Sequence, residues 1–192
     1  MEISWVRIYL LLGLLFHKAV WEFMKARQGR GTASNVARPW NVRLLSATKV
    51  VILLGIIAQT VMPVVLPITA NPSTLTAVGV ALYTLGLLIA VSARIQLGRN
   101  WSDIEKSQLK PGHQLVEHGV YRYVRHPIYT GDLLLLLGLQ LALNSWCVLG
   151  VAALAVYVHR RVIREERKLC EVLPQYSQYC RRTSRFLPFL PV

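Results

Sequence analysis

Long apolar runs separated by short basic segments constrain this chain more than any other feature. Three runs, Ile3 to Phe23, Leu44 to Leu66 and Leu75 to Leu97, are each about the twenty residues that a helix needs to cross a bilayer. The interruptions in the first, Arg7, His17 and Lys18, fall near its ends, where long side chains can snorkel to the interface. Two shorter runs follow, Ile128 to Leu143 and Ser145 to Val158, with only Asn144 and Ser145 to turn between them. A turn this short requires a tight antiparallel helical hairpin, whose second arm draws on residues such as His159 and Val162 to complete its length. With 54% hydrophobic residues and a mean hydropathy of +0.41, the expected fold is all-α: a polytopic membrane helical bundle of about five transmembrane helices, in one domain over 1–192. Residues 1–97 are expected to form a three-span scaffold, with 98–192 as the half that carries the chemistry.

The charge pattern orients the bundle. Lys and Arg total 22 against 9 Asp and Glu. The basic residues sit between apolar runs, as in cytoplasmic loops beside anionic lipid, and not on a nucleic-acid-binding face. Met24 to Lys49 carries Lys25, Arg27, Arg30, Arg38, Arg43 and Lys49 without an acid; Gly98 to Arg125 is again basic; the turn Thr69 to Thr74 has no charge. Arg160 to Val192 has eight basic residues against three acids and begins as a continuation of the fifth helix out of the membrane. The N-terminus is therefore expected outside and the C-terminus inside. The first run lacks a basic leader and a small-residue cleavage site, so it reads as a retained helix. Cys147, Cys170 and Cys180 have no metal-ligand spacing, and no metal is expected. The sequence does not fix an oligomeric state.

Chemistry concentrates between Glu117 and Asp132. Pro127 disfavours helical geometry at His126 and is itself at home in a first helical turn, so a helix is expected to start there. Its free amides and dipole suit a carboxylate or phosphate, with His126, Tyr129 and Tyr121 around them. Asp132 is the only acid in the following apolar run, and an acid at membrane depth is a functional candidate, although the first helical turn also tolerates one. The tyrosines also fit an interfacial belt. A second cluster, Arg160, Arg161, Arg164, Glu165 and Glu166, ends the fifth span. Arg161 and Glu165 share a helix face and allow a modest salt bridge, but arginine grips carboxylates and glutamate holds ammonium groups, and a zwitterionic ligand needs both. Tyr176, Tyr179, Arg181, Arg182 and Leu187 to Phe189 read as a helix end with a lid or membrane-contacting segment.

Together, LGRNWS (97–102), HQLVEHGVYRYVRHPIYTG (113–131) and REERKL with its downstream tyrosines, arginine and Leu-Pro (164–188) resemble the isoprenylcysteine carboxyl methyltransferase family, over roughly the C-terminal half. Related phospholipid methyltransferases share the plan, and membrane sterol reductases carry a similar RHxxYxGD block. The resemblance implies S-adenosylmethionine as cofactor, held without a Rossmann sheet by His113, Gln114, Leu115, Val116, Tyr121, His126, Pro127, Ile128, Tyr129 and Glu165, with Arg161 as the catalytic residue that orients the acceptor. The segment 173–176 is one residue shorter than in many members, leaving Arg164 and Glu166 as the alternative pair. The implied activity is methyl transfer to a lipophilic or lipidated acceptor at the cytoplasmic face, first the carboxylate of an isoprenylcysteine-like substrate. A phospholipid N-methyltransferase and an NADPH-dependent sterol or isoprenoid reductase are the alternatives.

Overall fold

Close packing of backbone against backbone sets the position of the two central helices. In the computed structural model, which describes residues 4–27, 40–62, 67–100 and 115–188, the helices are α1 (Trp5–Arg27), α2 (Trp40–Val61), α3 (Ser73–Leu97), α4 (Pro127–Ala142), α5 (Val148–Val172) and α6 (Tyr176–Arg182). On α3, Gly79 and Gly86 are seven residues apart, two full turns; on α4, Gly131 and Gly138 repeat the spacing. A methyl group added at any of the four would come within 3.0 Å of the other helix's backbone: Gly79 against Ala142, Gly86 against Leu135, Gly131 against Ala90 and Gly138 against Tyr83. The pairing of early α3 with late α4 makes the two antiparallel. Small residues replace side-chain interdigitation here, as is usual where lipid removes the hydrophobic drive for helix association.

The remaining helices attach to this pair. Leu10 and Leu14 of α1 pack with Tyr83, Leu135, Leu139, Ala142 and Leu143 in one buried cluster, and the Tyr83 hydroxyl donates to the Leu10 carbonyl at 2.7 Å. At the start of α1, Arg7 donates to the Thr60 carbonyl at 3.0 Å and also to that of Met62. A cation there satisfies the carbonyls left open by the end of α2 and complements its dipole. The same end of the bundle holds Gln59, whose amide donates to Gln140 at 2.9 Å and to Ser145 at 2.8 Å. Asn144, in the left-handed region with φ 52°, turns the chain after α4. Its side chain accepts from the backbone N–H groups of Ile68 and Thr69, both at 3.1 Å, and donates to the Thr69 carbonyl at 2.7 Å. Asparagine tolerates that backbone geometry better than most residues, and here it also joins the α2–α3 and α4–α5 turns.

Several expected boundaries move. Lys49 and Arg43 belong to α2, which begins at Trp40, where a loop to Lys49 was expected; its apolar part is only Val50–Val61. The bend expected near Pro63 lies outside the described residues. The fifth helix begins at Val148, where the run was read from Ser145, and continues past Val158 as expected. Among the described residues α3 alone is both long and apolar enough to cross a membrane by itself. The hairpin of α4 and α5 is present, turning through 143–147.

The glycine seam has a direct test. Gly86→Val should lower the thermal midpoint in detergent by the equivalent of roughly 1–3 kcal/mol or more, the usual cost of overpacking, because the new carbons meet backbone that cannot yield. Gly55→Ala in α2, where nothing lies within 4 Å of the added carbon, should leave the midpoint unchanged or raise it slightly. Equal melting of both variants would contradict the seam.

Candidate active site

The end of the bundle opposite Asn144 gathers the polar residues. His126 caps α4 with φ −123° and Pro127 occupies its first position, as the His-Pro pair predicts. The strand-like stretch before it is covered by the segment after α6: Val124 and Ser184 form a parallel bridge, the Arg125 N–H donates to the Ser184 carbonyl at 2.9 Å, and the His126 N–H donates to that of Arg185 at 3.1 Å. The Thr130 hydroxyl adds a bond to the Phe186 carbonyl at 3.0 Å. Phe186 then lies against both His126 and His159, with ring centroids 6.2 and 5.9 Å apart.

Two adjacent glutamates on α5 face this end with different surroundings. Glu166 is buried, and its Oε1 accepts from Arg125 Nε at 2.8 Å and lies 3.1 Å from His126 Nε2. Its Oε2 accepts from Arg185 through Nε at 3.0 Å and Nη2 at 2.8 Å. Arg125 also donates to the carbonyls of Cys180 and Thr183. Burial pushes the Glu166 carboxyl up, but the hydrogen bonds from His126, Arg185 and Arg125 outweigh it and hold the group well below the usual carboxylate range. Glu165 accepts from the Tyr129 hydroxyl at 3.2 Å. Burial raises its pKa, against the opposing pull of His126, the Tyr129 bond and Arg161. Arg161, one turn earlier, acts on both Tyr129 and Glu165.

The residues expected to form the site are thus partly brought together. His126, Ile128, Tyr129, Glu165 and Arg161 lie around the start of α4 and the facing stretch of α5. Pro127 is fully buried as the first residue of the helix. Val116 and Tyr121 pack with Ala93 of α3, with Ile128 beside them, so their side chains anchor the loop to the bundle. Leu115 packs on the cluster of Leu173, Tyr176 and Tyr179. These last two tyrosines are buried on α6, the helix end expected there. His113 and Gln114 lie outside the described residues. Arg164 is exposed, and the described partners of Glu166 are Arg125, His126 and Arg185. Asp132 reaches His17 of α1 at 3.0 Å, with Trp21 stacked on that ring at 4.1 Å, so this acid joins α1 to α4. The roles of Arg125, Arg185 and His17 were missed. The Arg125-His126 dipeptide was a usable signal for the first, because two donors side by side before a helix need an acid; no sequence signal pairs His17 with Asp132.

The model of the phospholipid methyltransferase family matches residues 74–175, more than half of the chain. The chain belongs to the phospholipid methyltransferase family. Its match takes in α3, α4 and α5, the helices that carry the seam and both glutamates. The resemblance to isoprenylcysteine carboxyl methyltransferases holds across curated relatives: the protein-S-isoprenylcysteine O-methyltransferase of Schizosaccharomyces pombe is 32% identical over 56% of this chain and 47% of its own length, and the B form from Arabidopsis thaliana is 32% identical over 58% of each. The cobalt-zinc-cadmium resistance protein CzcN of Cupriavidus metallidurans is 40% identical over 57% of this chain and 50% of its own. The chain spans about half the length of these curated relatives. The structure of the eukaryotic intramembrane Ras methyltransferase, isoprenylcysteine carboxyl methyltransferase, superposes with a TM-score of 0.63 at 21% identity, covering 97% of this chain and 69% of that one. This phospholipid methyltransferase family chain therefore shares that intramembrane helical fold.

The two glutamates should affect stability in opposite directions. The folded pKa of Glu166 is depressed, so its contribution is fully present above the unfolded carboxylate value of about 4.3 and is lost as pH falls through the folded one. Glu166→Gln should flatten stability against pH below about pH 5. Glu166→Ala should cost about 3–5 kcal/mol, because it leaves the buried Arg125 unpaired. The folded pKa of Glu165 is raised, so its charge costs stability above the folded pKa, and Glu165→Gln should hold or raise the neutral-pH melting temperature. Melts in detergent across pH check both.

Proposed function

We propose that this chain is a methyltransferase that uses S-adenosylmethionine and acts on a lipophilic acceptor at the cytoplasmic membrane face, with the carboxylate of an isoprenylcysteine-like group as the acceptor the residues fit best. The observation that carries the reading is the approach of Tyr129 on α4 to Glu165 on α5, beside a helix start with open amides and one turn from Arg161. These groups complement a zwitterionic donor and an anionic acceptor. The cofactor would bring a methyl on a positively charged sulfur. Glu165, steadied by the Tyr129 hydroxyl, presents a carboxylate to an ammonium group. The amides at the start of α4, with the helix dipole, present donors to a carboxylate. Arg161 orients the acceptor carboxylate through its planar fork. A carboxylate is ionised at neutral pH, so no general base is required, and the residues act through alignment and exclusion of water.

The proposed topology has five spans, an outer N-terminus and an inner C-terminus. Two native cysteines test it: Cys147, at the α4–α5 turn, and Cys170, near the end of α5, are both exposed. An impermeant maleimide added outside intact cells or right-side-out vesicles should label Cys147 and spare Cys170; the reverse pattern overturns the orientation.

Amine acceptors are the second reading, favoured by the description of the matching family. Purified protein given labelled S-adenosylmethionine with either a prenylcysteine analogue or a phosphatidylethanolamine should methylate the former. Binding of NADPH in place of S-adenosylmethionine would replace both readings with a reductase. Within the first reading, Glu165→Gln should raise the cofactor dissociation constant by about ten- to a hundredfold, the loss of a charge-assisted bond of roughly 1.5–3 kcal/mol. Arg161→Ala should spare that constant and lower turnover, with Arg161→Lys restoring it only in part. Matching behaviour of Glu165→Gln and Arg161→Ala in both assays would remove the division of labour.

A further inference from the structure

Glu166 lies behind the candidate site, yet it touches the His126 ring at the helix start. An ionised carboxylate only accepts hydrogen bonds. Glu166 Oε1 already accepts from Arg125 Nε at 2.8 Å, and at 3.1 Å from His126 Nε2 it requires a proton on that nitrogen. A neutral imidazole carries one N–H, so its other nitrogen, Nδ1, is then an acceptor. Among the described residues Nδ1 has no hydrogen-bond partner, while Tyr129 stacks alongside the ring at 5.9 Å and Phe186 lies across it. The other carboxylate oxygen holds Arg185 through two nitrogens, one residue before Phe186.

We propose that Glu166 is a positioning residue: it fixes His126 in the Nε2–H form, so that Nδ1 is offered to an N–H or O–H donor of the bound ligand, and through Arg185 it holds Phe186 over the same ring. The ligand class is a polar molecule that donates a hydrogen bond at this point, an ammonium or a hydroxyl. The identity of that ligand as the methyl donor rests on the function proposed above; the ring's tautomer does not. The arrangement divides the neighbouring acids: Glu165 acts on the ligand directly, and Glu166 acts only through His126 and the 183–188 segment. One carboxylate sets both the hydrogen-bonding sense of the ring and the position of its cover.

Two-bond proton–nitrogen spectra of histidine-labelled protein in detergent, with the His126 signal assigned by its loss in His126→Asn, report the tautomer directly. Ligand-free wild-type protein at a pH where the ring is neutral should show Nε2–H; an Nδ1–H ring overturns the proposal without any variant needing to fold. Glu166→Gln keeps the size of the side chain but leaves its one oxygen contested by Arg125 and Arg185. It should give a mixed or reversed tautomer and weaken binding of S-adenosylhomocysteine at least tenfold, with turnover at saturating cofactor changed by less than threefold. Arg185→Ala should leave the tautomer intact and weaken binding less. A Glu166→Gln protein with the wild-type tautomer and affinity within twofold would reduce Glu166 to a packing role and overturn the proposal. If wild-type protein shows the Nε2–H ring but binds no S-adenosylhomocysteine, the positioning role stands and the methyltransferase reading fails.

Discussion

The close contact of α3 and α4 is the constraint on which the rest of the structure depends. Four glycines bring two backbones together over two turns of each helix, and dispersion between well-fitted surfaces replaces a hydrophobic effect that lipid cannot supply. Because neither helix can slide or rotate without driving backbone into backbone, the N-terminus of α4 is held at a set depth beside the end of α3. Ala93 and Tyr121 use that fixed edge to seat the loop before α4, and α1 is fastened across both helices by Tyr83 and by Asp132.

Polar bonding divides between the two ends of this frame. At one end the neutral groups Gln59, Gln140, Ser145 and Asn144 satisfy each other and the turn backbones, and Arg7 serves the carbonyls that end α2. At the other, charged groups converge on Glu166, where two arginines and a histidine surround one carboxylate. A buried acid so fully bonded contributes shape more than net stability, since the gain in attraction is set against the loss of hydration. Glu165 lacks the two guanidinium partners of its neighbour, and its burial works against its charge. Consecutive residues on one helix therefore sit in opposite electrostatic settings.

Much of this was legible in the sequence. The start of α4 at Pro127 followed from local sterics, and α3 and the α4–α5 turn from hydropathy and the two-residue break; these are short-range effects that a chain carries everywhere. The continuation of α5 past Val158 was legible too: hydropathy stops there, but the good helix formers in Arg160 to Leu169 carry the helix on. The convergence of His126, Tyr129 and Glu165 was expected from the motif. The identity of the hub was not, because Arg125, Glu166 and Arg185 meet only after three elements have packed. The seven-residue glycine spacing was visible in both helices but went unread, since small residues announce a contact without naming its partner. His17 and Asp132 are linked by 115 positions of chain separation, a pairing that local pattern cannot supply.

The bonds around Arg125 bear on how the protein is made. Arg125 and His126 direct backbone N–H groups at acceptors in the 184–185 stretch, and the Arg125 guanidinium donates to Thr183, 58 positions further along the chain. A ribosome that has delivered α4 has not yet produced those acceptors. During that interval the two donors and a guanidinium stand without their final partners at the membrane edge, where water must serve them. Completion of this corner is consequently a late event in synthesis, and a chain cut short before Thr183 would leave the bundle's charged end open while its glycine-packed centre was already complete.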